Sequence, residues 1–114
     1  MNKMNQVLKE ASKTGSVEVV KALLKCGADV HADNDYALRW ASDNDHYETV
    51  KILLENGADV HAENDESFRW ATFNDHLETV KVLEDHIKGE SITISRKEYE
   101  NLLETVKNID NSND

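Results

Sequence analysis

Apolar residues along this chain recur at helical spacing in short blocks, and each block is closed by a polar break or a glycine. Val50, Leu53 and Leu54 stand at i, i+3 and i+4, the spacing of one buried helical face. Gly57 follows them, where a left-handed residue closes a helix. Upstream, Leu38 and Ala41 lie three apart and run into Asp43-Asn44-Asp45, so a first short helix and a tight turn precede the second helix. The same plan is written earlier, at Val7, Leu8 and Ala11, a turn at Gly15, then Val19, Val20, Leu23 and Leu24 before Gly27. It returns at Phe68 and Ala71, the turn Asn74-Asp75, and Val80 and Leu83. The pattern predicts an all-α fold of three stacked helix-turn-helix units.

The letters repeat as well as the pattern. Ala28-Asp29-Val30-His31-Ala32-Asp33-Asn34-Asp35 comes back thirty residues later as Ala58-Asp59-Val60-His61-Ala62-Glu63-Asn64-Asp65, and Arg39-Trp40-Ala41 as Arg69-Trp70-Ala71. A fixed period of this size marks a solenoid, in which each unit must stack on its neighbours to bury its apolar face. The units divide as residues 1–30, 31–60 and 61–88. The first begins directly at its helix. In the third, Glu84 stands where Leu54 stood and Ile87-Lys88 where Gly57-Ala58 stood, which marks the end of the array.

Residues 89–114 change character. Ile92-Thr93-Ile94 reads as a short extended segment, and Ser95-Arg96-Lys97-Glu98 has the spacing of a capping box. Tyr99, Leu102, Leu103, Val106 and Ile109 then form the apolar stripe of an amphipathic helix over 95–109, ahead of a frayed tail. This helix is expected to cap the open end of the array. The other reading is a dimerisation or partner-docking helix, so the chain is expected to be a monomer or a dimer through that helix.

In its register of Leu38, Ala41, His46, Val50, Leu53, Leu54, Gly57, Ala58, Asp59 and Ala62, the repeat resembles the ankyrin repeat. Gly15, Val19, Val20, Leu23, Leu24, Gly27, Ala28 and Asp29 match in the first unit, and the resemblance covers residues 5–88. It implies an ankyrin-repeat solenoid in which His46 and His76 are structural. The chain departs from the family in three ways. Its period is shorter than the usual ~33 residues, with the deficit between Ala32 and Leu38, which implies shortened β-turn fingers. Arg39-Trp40 and Arg69-Trp70 stand where the family carries His and a variable residue, so the family's Thr and His ties between repeats cannot be assumed. Asp45 and Asp75 replace the inter-helix glycine, which remains feasible because Asp tolerates the left-handed region. Short units with this Arg-Trp pair are similar to those of ankyrin proteins from giant DNA viruses of amoebae. The expected location is the cytoplasm, that of the host for a viral protein.

Composition narrows the chemistry. The formal charge is −10, a field that repels phosphate backbones and anionic lipid and speeds encounter with a basic partner. Neither nucleic acid nor membrane is an expected partner: no run of ~18 apolar residues is present, and Met1–Gln6 does not read as a signal peptide. The single cysteine, Cys26, excludes an internal disulfide and fits a reducing compartment. It ends a helix, where the dipole disfavours a thiolate.

The five histidines invite a metal reading. Like positions in stacked repeats lie about 10 Å apart, though, whereas two ligands of one ion each sit about 2.1 Å from it. The clusters Asp33-Asn34-Asp35, Asp43-Asn44-Asp45 and Glu63-Asn64-Asp65 fail the calcium-loop spacing after two ligands and read as turns. No cofactor, metal or catalytic arrangement is predicted, and the chain is not expected to be an enzyme.

The expected function is that of a protein-interaction module; the alternative is a small acidic inhibitor or decoy that blocks a basic site on an enzyme. Ankyrin proteins commonly bind partners on the concave face. Carried over position by position, the resemblance assigns the helix-end residues Lys13, Asp43, Asn44, Phe73 and Asn74 and the finger residues Asn34, Asp35, Tyr36, Asn64, Asp65 and Glu66 to partner contact. Phe73 and Tyr36, aromatics among carboxylates and amides, match an interface core with a polar rim, and the acids point to a basic or mixed-charge protein partner. Trp40 and Trp70 read as core packing between repeats or as an aromatic edge of the concave face, with Arg39 and Arg69 stacking on rings or pairing with acids.

Overall fold

The computed structural model describes residues 2–91. Six helices follow one another: α1 (Lys3–Thr14), α2 (Val17–Lys25), α3 (Ala32–Asp43), α4 (Tyr47–Glu55), α5 (Ala62–Phe73) and α6 (Leu77–Ser91). They pair as α1/α2, α3/α4 and α5/α6. The first helices α1, α3 and α5 lie side by side in one layer, and α2, α4 and α6 form the other. This is the expected all-α solenoid of three helix pairs. The helix read over 95–109, and with it the question of capping or dimerisation, lies outside the described residues.

Local chemistry accounts for most of the boundaries. Asn2 caps α1 by accepting the Met4 N–H at 2.9 Å, satisfying one of the orphan donors of the first turn. Gly15 ends the helix in the left-handed conformation at φ 77°. At the ends of α2 and α4 the backbone closes in a Schellman arrangement. Gly27 N–H donates to Leu24 O and Ala28 N–H to Leu23 O, and Gly57 and Ala58 do the same to Leu54 and Leu53. No glycine stands at the corresponding place in α6, which accordingly runs on to Ser91.

The core forms where the two layers meet. Leu8 and Leu38 from the first helices and Val20, Val50, Leu53 and Leu83 from the second are fully buried, each worth about 1.5–3 kcal/mol of apolar transfer. The repeated phrase contributes too: Ala28, Val30, Ala58 and Val60 are buried under the connections between units. Asp29 and Asp59 turn those connections by accepting the N–H two residues on, from His31 and His61, each at 2.9 Å.

The shortened finger takes a specific form. Asp33, Asn34 and Asp35 all have left-handed backbone, with φ 53°, 56° and 58°, and Glu63, Asn64 and Asp65 repeat this at 56°, 57° and 61°. A left-handed residue ordinarily costs about 1–2 kcal/mol, less for Asn and Asp, and such residues occur singly rather than in threes. Arg39 offsets that cost from five and six residues away. Its guanidinium donates to Asn34 O at 3.0 Å and to Asp33 O at 2.9 Å. Arg69 does the same to Asn64 O at 2.8 Å and Glu63 O at 3.1 Å. The arginine of the Arg-Trp pair is thus the clasp of the left-handed turn.

Candidate interaction surface

The ties between repeats decide which polar side chains remain available to a partner. His46 donates from Nε2 to Lys13 O, and His76 to Asp43 O, both at 2.9 Å. Inter-repeat histidine bonds are therefore present despite the altered first-helix motif. Thr79 adds a hydroxyl bond to Asp45 Oδ1 at 2.9 Å. Asn5 accepts the Asp29 N–H at 2.7 Å, and Asp35, thirty residues on, accepts the Asp59 N–H at 2.6 Å. The Asp35 carboxylate also takes His31 Nδ1 at 2.9 Å, and His61 pairs with Asp65 in the same way. The hydrogen bond to Asp35 raises the His31 pKa above its ordinary value; desolvation opposes it, and the charges of Asp35, Asp29 and Asp59 add to it.

Asp35 is set apart from the other assigned contact residues by its burial. It is 4% exposed and its carboxylate is committed to the connection that follows its own helix pair, so it faces the fold. Asn44 and Asn74 turn their amides back onto Trp40 O and Trp70 O, at 2.7 and 2.9 Å, and so cap their own helices. Asn34 and Asn64 are exposed at the left-handed turns and serve through their carbonyls. Asp65 and Glu66 are half-buried, one held by His61 and the other by Arg39.

What remains forms a row along the exposed side of the first helices. Lys13 lies over the Trp40 ring at 5.0 Å, and Lys9 over Tyr36 at 5.4 Å while also pairing with Asp33. Tyr36 stacks at a tilt on Trp40, with centroids 5.4 Å apart, and Arg39 passes 5.7 Å from its ring. Tyr36 is therefore a half-buried member of a stack. Further along, Trp70 meets Phe73 edge to face at 6.0 Å. Phe73 is 79% exposed and Trp70 44%. Between the second and third units, Arg39, Trp40, Asp43, Glu66 and Trp70 line a cleft of about 220 Å³, in which Arg39 holds Glu66 at 2.7 Å. The Asp43 carboxylate accepts the neutral amide of Asn74 there, at 3.2 Å.

Trp40 and Trp70 belong to this surface although the sequence reading left them between core and edge. The signal that could have placed them is their partner one repeat back: Lys13 precedes Trp40 and Asp43 precedes Trp70, and neither charge suits a buried stack. Chemically the row combines aromatic faces that attract cations with carboxylates beside them. Among the described residues, no group of three or more His, Cys, Asp or Glu is placed to hold a metal ion, and no helix is long and apolar enough to cross a membrane. Cys26 is exposed at the end of α2.

A family model described as ankyrin repeats, in three copies, matches residues 8–96. Among curated proteins none matches the chain.

Proposed function

The chain belongs to the ankyrin-repeat family, whose members are generally protein–protein interaction modules, and from that premise we propose that it binds a protein partner non-catalytically through the concave row of its first helices. The observation that carries this reading is the exposure of Trp70 and Phe73 side by side among charged and amide groups. Large aromatics in a polar rim are the composition of binding hot spots, and burying them against a partner recovers the apolar transfer energy that the fold leaves unused. The partner is expected to be basic or mixed in charge, because the chain carries −10 overall and Asp43 and Glu66 stand beside the rings.

Affinity capture from the source cell tests this. The wild-type chain should retain a partner that the Trp70→Ala/Phe73→Ala double variant releases, while Val19→Ser, on the exposed side of α2, retains it. Equal recovery on the double variant refutes the concave assignment.

A further inference from the structure

The two steps between repeats carry different charges in equivalent places. In the first step, Lys9 and Lys13 lie over the rings of Tyr36 and Trp40 at 5.4 and 5.0 Å. Advancing those four residues by the thirty-residue period gives Arg39, Asp43, Glu66 and Trp70, and these line the cleft together with Trp40. Tyr36 has become Glu66, which takes an ion pair from Arg39 in place of a ring contact. Lys13 has become Asp43. The position that supplies an ammonium to the indole in the first step therefore supplies a carboxylate in the second.

We propose that the cleft between the second and third units binds a lysine side chain of a basic protein partner, with its ammonium on the Trp70 face and against the Asp43 carboxylate. The proposal rests on the reading of the concave row as the interaction surface and names the chemistry of its centre. Lys13 on Trp40 is the internal precedent, an ammonium already seated on the equivalent indole. The cleft, about 220 Å³, has room for a four-carbon ammonium chain with water around it, since a water takes about 30 Å³. Its charges favour a cation. Glu66 is neutralised by Arg39, and Asp43 is left with a neutral amide for a neighbour. Lysine rather than arginine is the choice, because Glu66 already takes the Arg39 guanidinium at 2.7 Å and leaves one carboxylate, Asp43, which suits a point charge.

The only two tryptophans in the chain, Trp40 and Trp70, both line the cleft, so their indole N–H resonances report on it directly. The probe is N-acetyl-Gly-Lys-Gly-amide, compared with the same peptide carrying norleucine or arginine. The lysine peptide should shift the Trp70 indole N–H saturably at concentrations up to about 20 mM, with norleucine binding at least about fivefold more weakly. Asp43→Lys places in the second step the residue that fills the first and should abolish the shift. Asp43→Asn, which keeps the size and loses the charge, should weaken it at least about threefold. Glu48→Lys, the same change of charge on the exposed side of α4, should leave it intact. An equal response to norleucine, no saturable shift, or undiminished binding by Asp43→Lys overturns the proposal, and tighter binding of the arginine peptide overturns the choice of lysine. A partner captured through Trp70 and Phe73 while the lysine peptide fails refutes the cleft chemistry alone; loss of both refutes the concave reading itself.

Discussion

Replacing Asp35 with alanine removes the acceptor that joins the second repeat to the connection after it. The Asp59 N–H loses a 2.6 Å bond to a carboxylate, and His31 loses its 2.9 Å partner. A hydrogen bond to a charged acceptor is worth about 1.5–3 kcal/mol. Alanine must also hold φ 58°, where it is about 1 kcal/mol worse than an Asp or Asn. Allowing for partial rehydration of the freed N–H, the expected loss is about 2–3 kcal/mol. That is a large share of the roughly 5–13 kcal/mol expected for about ninety folded residues. With a urea slope of about 1–2 kcal/mol/M, the midpoint should fall by about 1–3 M.

Asp35→Asn is the internal comparison, because Asn5 does the same work one repeat earlier, taking the Asp29 N–H at 2.7 Å. Asparagine tolerates the left-handed backbone and offers one acceptor, so it should cost less than about 1 kcal/mol. A second readout follows from His31, whose pKa is raised chiefly by its bond to Asp35. A raised folded-state pKa gives stability that is fully present below the unfolded value of about 6.5 and is lost as pH rises through the folded value. The wild-type midpoint should therefore decline as pH rises above about 6.5 more steeply than that of Asp35→Asn, by a small amount because the imidazole is mostly in solvent. Circular dichroism at 222 nm through urea titrations at several pH values measures both effects. Equal midpoints for the alanine and asparagine variants, or an alanine variant within about 0.5 kcal/mol of wild type, would refute the assignment of Asp35 as the tie to the connection after its helix pair.

Two further changes test the turns. Arg39→Lys keeps the charge but loses the fork that reaches Asn34 O, Asp33 O and Glu66 together; it should cost about 1–2 kcal/mol and lower the melting temperature, and an unchanged melting temperature would show that the left-handed turn holds without its clasp. Gly15→Ala meets both a φ of 77° and the His46 ring, whose Nδ1 would lie 2.5 Å from the new Cβ, so it should lose about 1–3 kcal/mol in urea unfolding. Wild-type stability in that variant would mean that the His46 tie to Lys13 O can shift freely.

The repeat number, the helix pairs and the stops of the first two pairs were legible in the sequence, because each depends on residues a few positions apart. Val50, Leu53 and Leu54 make one face whatever lies beyond them, and Gly57 ends its helix by a backbone preference of its own. The glycine missing at Ile87 follows the same local logic, although the run of α6 to Ser91 passes the end of the third unit at 88. The charge of −10 and the lone cysteine likewise needed no coordinates.

The tertiary structure decided what the polar residues do, because their roles are set by partners that sequence spacing does not name. Asp35 reads as a turn residue available to a partner, yet the next connection passes within hydrogen-bond distance and buries it. Arg39 reads as a cation that stacks on a ring or pairs with an acid, yet the left-handed turn also aims two carbonyls at it. Tyr36 and Phe73 look alike as aromatics in polar company. Stacking puts the first against Trp40 beneath Lys9 and Arg39 and leaves the second in solvent. The copies written thirty residues apart specify that units stack. Only their packing determines that Lys13 covers one tryptophan while Asp43 opens the next, since a side chain's neighbour across a repeat is fixed by the rise and turn of the solenoid and not by its own letters.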